Sequence, residues 1–319
     1  YSAVLRMNRR RQVATITTRK ILVRRFMAVA VLAMGLGLIC LVPTVAQQAY
    51  MSGQSISPAY EGWEQNDDGS FDLVFGYMNR NWEQVVDVPV GPDNSIEPGG
   101  ADQGQPTHFY PRRNRFTFRI RVPADFGEKE LVWTLTANGH TERAYGTLKR
   151  DYFMDDLVVQ ANYGAGGAAA TTPDLMDNEA PVLLIDGPTD RTTQVGNPIT
   201  LVAVSSDDGK PRARSLRASS PRFPGRITTD TATGHRLAWY VYRGSGNVAF
   251  DPPQTDTWED TRDGGNSPWS PGWQSPEVPE DGRWTVAVTF SEPGHYVLRA
   301  IAHDGGLATV DDVTVVVSP

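Results

Sequence analysis

An acidic segment near the C-terminus, residues 251–282, carries the side chains best suited to binding chemistry. Its candidate ligand-binding residues are three tryptophans and three carboxylates: Trp258, Trp269, Trp273, Glu259, Asp260 and Asp263. An exposed indole can stack on a sugar ring or on a peptide, and a neighbouring carboxylate can then hold the polar edge of that ligand. Alternatively, the tryptophans pack together as a small satellite core that fixes the segment, since large aromatic side chains are usually buried.

Three aspartates offer a second kind of site. Asp207, Asp208 and Asp304 stand in two turns that contain Asp-Gly pairs, and they supply the hard oxygen ligands that calcium prefers. The alternative is ordinary turn chemistry, because Asp-Gly is favoured in turns without any metal. Calcium is the only cofactor for which the sequence suggests ligands.

The sequence lacks the familiar catalytic motifs. HExxH, GxSxG, a phosphate-binding loop and a cysteine cluster are all absent, and the 5 histidines are scattered. We therefore predict a non-catalytic binding or adhesion protein. One alternative is an accessory or hydrolytic enzyme on envelope polysaccharide, with carboxylates of the acidic segment about 5 Å or about 6.5–9.5 Å apart as acid and base. Another is a passive spacer between surface domains.

A basic strip occurs earlier in the chain, in the sequence RRNRFTFRIR. Its members alternate with apolar residues: Arg112, Arg113, Arg115, Arg119 and Arg121. We interpret the strip as the solvent-facing side of a strand rather than as an anion site. The long connection before it, residues 91–111, contains His108, which has no neighbouring metal ligand in sequence and is predicted to lie at the surface.

The strands that position these residues follow from apolar side chains at every second position, as in Trp284, Val286 and Val288. We predict strands B, C, C′, E, F and G over residues 200–205, 236–242, 247–250, 284–290, 296–303 and 309–317. If each strand reverses the previous one, the B–C, C′–E and F–G connections meet at one end. Asp208, Trp269 and Asp304 should then share that end.

The stretches PGHYVLRAIAHDGGLATVDDVTVVV, LAWYVYRGSGNVAF and LVAVSSDDG resemble the PKD-type and cadherin-like immunoglobulin-fold repeats of exported bacterial proteins. The resemblance covers roughly residues 178–319. It implies a seven-strand sandwich and a role in binding, adhesion or spacing. In immunoglobulin-like domains a tryptophan on strand C and a tyrosine entering strand F are buried, which predicts core positions for Trp239 and Tyr296.

The N-terminal half shows the same period of two. Residues 55–160 contain alternating apolar runs and the hairpin signal Asn138-Gly139, which predicts an antiparallel sandwich. Residues 161–178 are small and polar and are predicted to be a linker to a second domain, residues 179–319. The fold class is therefore all-β, with two antiparallel immunoglobulin-like β-sandwich domains.

Residues 1–46 form a leader with a basic start, the apolar run FMAVAVLAMGLGLICLV and small residues before Gln47. This pattern predicts a signal peptide and an exported protein, periplasmic or secreted. The alternative is an uncleaved anchor that faces the domains away from the cytoplasm, in which case only this segment contacts the membrane. Cys40 is the single cysteine and lies in the leader, so a processed chain has no disulfide.

The charge balance excludes several partners. The chain has 30 basic and 37 acidic residues, and 8 of the basic ones lie in the leader, so the processed chain keeps 22 basic residues and a net charge of −15. A net negative charge of this size disfavours binding to nucleic acid or to an anionic membrane surface, since both are negatively charged. We expect a glycan or a protein of the cell envelope as the partner.

Overall fold

A computed structural model of the protein describes residues 51–163, 173–213, 233–258 and 276–319. The chain divides into two compact units, Tyr1–Gln48 and Ala49–Pro319, and every described element belongs to the second unit. The predicted signal peptide or anchor lies outside the described residues. None of the described helices is long and apolar enough to cross a membrane.

The N-terminal sandwich contains eight strands: β1 (Ile56–Gln65), β2 (Phe71–Asn79), β3 (Val86–Asp87), β4 (Asn94–Glu97), β5 (His108–Phe109), β6 (Arg112–Val122), β7 (Leu131–Ala137) and β8 (His140–Gly146). They form the sheets β1-β2-β6 and β4-β7-β8 and the small pair β3-β5, and all of these pairs are antiparallel. The predicted hairpin is confirmed, since Asn138 and Gly139 adopt φ values of 51° and 78° between β7 and β8.

Aromatic rings fill the core of this sandwich. Phe75 and Phe118 stack at 5.4 Å, and Trp133 meets both edge-on at 6.1 and 5.0 Å. Trp133 is fully buried, and its indole donates a hydrogen bond of 3.0 Å to Asn94 Oδ1. The polar edge of this large side chain is therefore satisfied inside the core.

A helical connection follows, with a 3-10 helix (Arg150–Tyr152), α1 (Asp156–Tyr163) and α2 (Pro173–Met176). The eight residues of α1 are too few to show a clear helical period in the sequence. Helix α1 begins after Asp155, whose side chain accepts a hydrogen bond from Val158 N at 2.9 Å. The last residues of α1 fall in the segment predicted as a linker, and residues 164–172 of that segment lie outside the described residues.

The described residues of the C-terminal sandwich also form eight strands: β9 (Val182–Ile185), β10 (Asp190–Gln194), β11 (Ile199–Ser206), β12 (Arg236–Arg243), β13 (Val248–Asp251), β14 (Arg283–Phe290), β15 (Gly294–His303) and β16 (Ala308–Ser318). Predicted strands B, C, E, F and G agree with β11, β12, β14, β15 and β16 within two residues at each end. The sheets are β13-β14-β11-β9 and β10-β16-β15-β12, with β10 parallel to β16. Two facing sheets with these partners form an immunoglobulin-like sandwich.

The strand predicted as C′ is assigned wrongly. The corresponding strand, β13, pairs with β14 in the sheet opposite β12, which is the position of strand D. The chain changes sheets at Gly244 and Gly246, whose φ values are 130° and 83°. A side chain at Gly244 would collide with the Tyr296 ring, so only glycine fits there.

Both predicted core aromatics of the C-terminal sandwich are confirmed. Trp239 on β12 is 2% exposed and Tyr296 on β15 is 1% exposed. The Tyr296 hydroxyl donates a hydrogen bond of 2.9 Å to the carbonyl of Glu292, four residues upstream. This contact is the tyrosine corner expected of the fold.

Strand β12 is buried on both faces and joins the two sandwiches. Tyr242 belongs to the core cluster of the N-terminal sandwich, with Tyr240 packed against the same cluster. The strand is an edge strand, and its backbone is covered by the other sandwich. Val241 N donates to Tyr110 Oη at 3.0 Å, and Thr107 N donates to the Tyr242 carbonyl at 3.2 Å. This edge is therefore closed to further strand pairing.

Arg299 on β15 fixes the same contact. Its guanidinium makes two hydrogen bonds of 2.7 Å to Asp312 and one of 2.6 Å to the Thr117 carbonyl on β6. It also lies 3.5 Å from the centre of the Tyr242 ring. One buried cation thus holds strands of both sandwiches, which explains why they form a single compact unit.

Candidate functional site in a cleft between the sandwiches

A cleft of about 340 Å³ lies between the two sandwiches. Strand β6 and helix α1 form one wall, and the outer face of β12, β15 and β16 forms the other together with residues 255–258. Its volume falls in the range of small-molecule binding sites, about 300–1,000 Å³. Tyr242, which joins the two sandwiches, is among the residues that line the cleft.

An irregularity in β6 shapes the first wall. Phe75 pairs with Phe118 and Tyr77 pairs with Asn114, so three residues of β6 face Gly76 alone. The bulge places Phe116 at a φ of 50°, a left-handed value that is rare for a bulky residue. Phe118 lies in the core of the N-terminal sandwich, whereas Phe116 packs towards α1 and the C-terminal sandwich.

Phe116 belongs to an apolar cluster that is separate from the cores of the two sandwiches. The cluster joins Phe116 to Val159 of α1 and to Leu307, which follows β15 in the C-terminal sandwich. Tyr163 packs on it with its ring centre 5.1 Å from that of Phe116. This cluster at the cleft therefore combines side chains of both sandwiches and of α1.

The basic strip lies along the same wall, and its charges are largely compensated. Arg113 makes hydrogen bonds of 2.7 and 2.6 Å to Glu61, and Arg119 makes bonds of 2.9 and 3.1 Å to Glu64. Arg119 and Arg121 are exposed as predicted, but Arg113 and Arg115 are half-buried and line the cleft together with Arg119. The guanidinium groups of Arg113 and Arg119 are therefore held in ion pairs with glutamates.

A neutral histidine stands in the opposite wall. His303 Nδ1 accepts a hydrogen bond of 2.7 Å from Gly305 N, so this nitrogen carries no proton. Burial, with the charge of Arg236, lowers the pKa of His303 well below its usual range. Its ring meets the Tyr163 ring edge-on at 4.4 Å. Burial also lowers the pKa of Arg236 to about 10, which still leaves it charged at neutral pH.

The surface prediction for His108 is wrong. Its side chain is 9% exposed, lines the cleft, and makes a hydrogen bond of 2.6 Å from Nδ1 to Asp87. Asp87 lies on β3, the partner strand of β5, and sequence spacing alone could not reveal this pairing. The arrangement orients the imidazole ring and leaves Nε2 as the nitrogen that does not contact Asp87.

Of the predicted tryptophan platform, only Trp258 falls within the described residues. It is 9% exposed and lines the cleft, as the satellite-core interpretation expects of a packed indole. The other candidates lie outside the described residues: Glu259, Asp260, Asp263, Trp269 and Trp273.

The three aspartates proposed as calcium ligands make turn contacts. Asp207 and Asp208 accept hydrogen bonds from backbone N–H groups two residues further on, at 2.9 and 2.8 Å. Asp304 is fully buried, and it accepts hydrogen bonds from Leu307 N at 2.7 Å and Asn178 Nδ2 at 3.0 Å. Within the described ranges, no group of three or more histidine, cysteine or acidic side chains is arranged to hold a metal ion. The calcium prediction therefore finds no support in the placement of these carboxylates.

The described ends of the B–C and F–G connections contact each other. Gly234 N, just before β12, donates a hydrogen bond of 2.5 Å to the Asp304 carbonyl after β15. Glu292 lies at the opposite end, where it approaches Gly246. The position of Trp269 relative to Asp304 lies outside the described residues.

Asp304 should make stability depend on pH. Burial raises its pKa to about 6, although hydrogen bonds from Leu307, Gly306 and Asn178 oppose the rise. The folded protein therefore binds a proton more tightly than the unfolded chain does. The resulting stabilisation is complete below the unfolded pKa of 3.8 and disappears as pH rises through about 6.

We expect urea unfolding to show a gain on the order of 1 kcal/mol from this group between pH 7.5 and pH 5. Asp304→Asn keeps the side-chain shape and removes the titration, so the variant should lack this gain. An identical pH response in the variant and the original protein would refute the assignment.

No protein-family model matches the sequence, and no curated protein matches it. Several solved structures show weak similarity. The N-terminal eight Ig domains of Down Syndrome Cell Adhesion Molecule isoform 1.30.30 are 10% identical, with 82% of this chain and 27% of that chain covered and a TM-score of 0.22. The Yersinia pseudotuberculosis adhesin InvE is 11% identical, with 84% and 60% covered and a TM-score of 0.23. The D00-D0 domain of Intimin is 12% identical, with 82% and 100% covered and a TM-score of 0.22. The chain spans less than two thirds of the first two structures. Similarities of this size do not indicate a function.

Proposed function

We propose that the protein is an exported, non-catalytic binding protein that holds a glycan or protein component of the cell envelope in the cleft between its two sandwiches. The observation that supports this proposal is the cleft itself, with aromatic rings and compensated charges on walls that both sandwiches supply. Export follows from the leader sequence, and cleavage after Ala46 belongs to the same proposal. We also assign the C-terminal sandwich to the PKD-type or cadherin-like repeats, on the motif PGHYVLRAIAHDGG.

Rigid walls favour a binding role. Arg299, Tyr242 and Tyr110 connect the sandwiches through buried contacts, so the relative position of the walls is fixed before a ligand arrives. A preformed site loses little conformational entropy on binding, which raises the affinity that a given set of contacts can provide. The loop end predicted to meet the ligand contributes to this site through Trp258 and Gly305.

The test is to fill the cleft. Ala308 lies at the start of β16 and lines the cleft, whereas Ala124 is exposed and lies elsewhere on the N-terminal sandwich. Protein purified after expression of the full chain is incubated with isolated cell-envelope material, and the bound fraction is measured against protein concentration. We expect saturable binding that Ala308→Trp weakens by about tenfold or more, which corresponds to about 1.4 kcal/mol.

The matched substitution Ala124→Trp should leave binding unchanged. Circular dichroism and thermal melting of both variants establish that each is folded. If the unmodified protein fails to bind envelope material, or if both variants bind equally well, the proposed function is wrong.

A further inference from the structure

Charges of both signs line the cleft and disfavour a charged ligand. The carboxylates of Glu64, Asp156 and Asp256 lie in the same cleft as four arginines, among which Arg113 and Arg119 are ion-paired. An anionic ligand would meet the three carboxylates, and a cationic ligand would meet the four guanidinium groups. Either kind of ligand would remove water from protein charges of its own sign, and this desolvation with like-charge repulsion costs binding free energy. An uncharged ligand avoids both costs.

The same side chains suit a ligand that is rich in hydroxyl groups. A guanidinium presents several N–H donors in a plane, and a carboxylate presents two acceptor oxygens, so each can contact two neighbouring groups at once. A hydroxyl can both donate and accept. Ion pairs such as Arg119–Glu64 hold these planar groups in place before binding. A set of adjacent hydroxyls could therefore be satisfied on this wall without any net charge.

Aromatic rings provide the complementary apolar contacts. Tyr163 and Tyr240 are half-buried and line the cleft from opposite walls, one at the end of α1 and the other on β12. Phe116 and Trp258 also line the cleft and are buried, at 8% and 9% exposure. A ring face packs well on a flat patch of C–H groups whose rim is polar. Sugar rings combine such a patch with a rim of hydroxyls.

The structure disfavours an extended peptide that would add as a strand. Such a peptide needs an open sheet edge, and β6 and β12 are edge strands that line the cleft. Strand β6 is interrupted by its bulge at Phe116, which leaves the edge of β12. Trp239 N on this edge donates to Gln254 Oε1 at 2.9 Å, and Val241 N donates to Tyr110 Oη at 3.0 Å. These backbone donors are already occupied by other parts of the chain.

On the basis of the proposed function, we infer that the ligand of the cleft is an uncharged saccharide chain, held between the Tyr163 and Tyr240 rings with its hydroxyls on the paired arginines and carboxylates. Residues 255–258 and Pro276 of the acidic segment line this cleft, and among the described residues Trp258 is the one predicted ligand-binding residue of that segment.

The experiment is calorimetric titration of the purified protein with three neutral series: cello-, chito- and malto-oligosaccharides of increasing length. Oligogalacturonates serve as the anionic comparison and a mixture of extended peptides as the protein-like one. Tyr240→Ala removes a stacking face, and Tyr240→Phe retains the ring without the hydroxyl. Tyr145→Ala removes a tyrosine that is 52% exposed on β8, outside the cleft.

We expect at least one neutral series to bind, with an affinity that Tyr240→Ala lowers about tenfold or more and that Tyr240→Phe and Tyr145→Ala change by less than about threefold. Neutral binding that is insensitive to Tyr240→Ala would overturn the location. If only the oligogalacturonates bind, the ligand is not uncharged, and if only the peptides bind, it is not a saccharide; either outcome overturns the inference.

Failure of every neutral series, with envelope binding still blocked by Ala308→Trp, would likewise overturn the saccharide inference and leave the proposed function standing. Failure of the neutral series together with loss of any envelope binding would overturn both.

Discussion

Replacing Tyr242 by alanine is expected to lower the free energy of unfolding by about 3–5 kcal/mol and to separate one unfolding transition into two. Tyr242 lies on β12 of the C-terminal sandwich, yet it is 3% exposed within the core cluster of the N-terminal one. Its hydroxyl donates to the Gly104 carbonyl, and its ring lies under the Arg299 guanidinium. The substitution removes all three contacts and leaves a cavity at the junction.

In Tyr242→Ala the two sandwiches should unfold in separate transitions, because their coupling is lost. Each sandwich retains its own apolar cluster in the variant, and what weakens is the coupling between the clusters. Differential scanning calorimetry should show one peak for the original protein and two for Tyr242→Ala. The control Tyr145→Ala removes an exposed ring and should change stability by no more than about 0.5 kcal/mol. A single transition in Tyr242→Ala, with full stability, would show that Tyr242 does not couple the sandwiches.

The strands of the C-terminal sandwich were predictable because its pattern is regular. Trp284, Val286, Val288 and Phe290 alternate without interruption, and a turn marks each end of the run. A period of two with turn residues at the ends is the signature of a half-buried strand. The sheet partner of β13 was not predictable from this pattern, since the period defines a strand but not which neighbour it pairs with.

The cleft was not predicted from the sequence, because it depends on how the outer face of β12 packs against the N-terminal sandwich. Strand β12 reads RLAWYVYR, a nearly continuous apolar run, and on its outer face Tyr242 is buried in the core cluster of the other sandwich while Tyr240 is half-buried against it. Continuous apolar runs are typical of strands buried on both faces, so this signal was present in the sequence. Nothing comparable marks the bulge at Phe116 or the contact between His108 and Asp87, because both depend on residues that are distant in sequence.

Replacing Trp239 by alanine is expected to cost about 3–5 kcal/mol, through lost burial and the cavity that remains. Trp239 is 2% exposed and packs in the core cluster of the C-terminal sandwich, on the face of β12 opposite Tyr242. Its indole Nε1 is buried and makes no hydrogen bond within the described part of the chain. The indole therefore contributes through its apolar area, against the cost of one unsatisfied donor.

Trp239→Phe separates these two effects. Phenylalanine retains most of the ring and removes the unsatisfied N–H, so we expect a loss of only about 1–2 kcal/mol. Urea unfolding monitored by circular dichroism measures both variants. A loss in Trp239→Phe as large as that in Trp239→Ala would mean that the indole N–H has a partner and that the packing account is wrong.

The two β12 variants should also differ in how they unfold. Trp239→Ala weakens the sandwich that carries β12 but leaves the Tyr242 contact with the N-terminal sandwich in place. We therefore expect its calorimetric peak to shift to lower temperature as a single transition, while that of Tyr242→Ala divides. Opposite faces of one strand would then have separable effects, with Trp239 setting the stability of its own sandwich and Tyr242 setting the coupling that holds the cleft walls together.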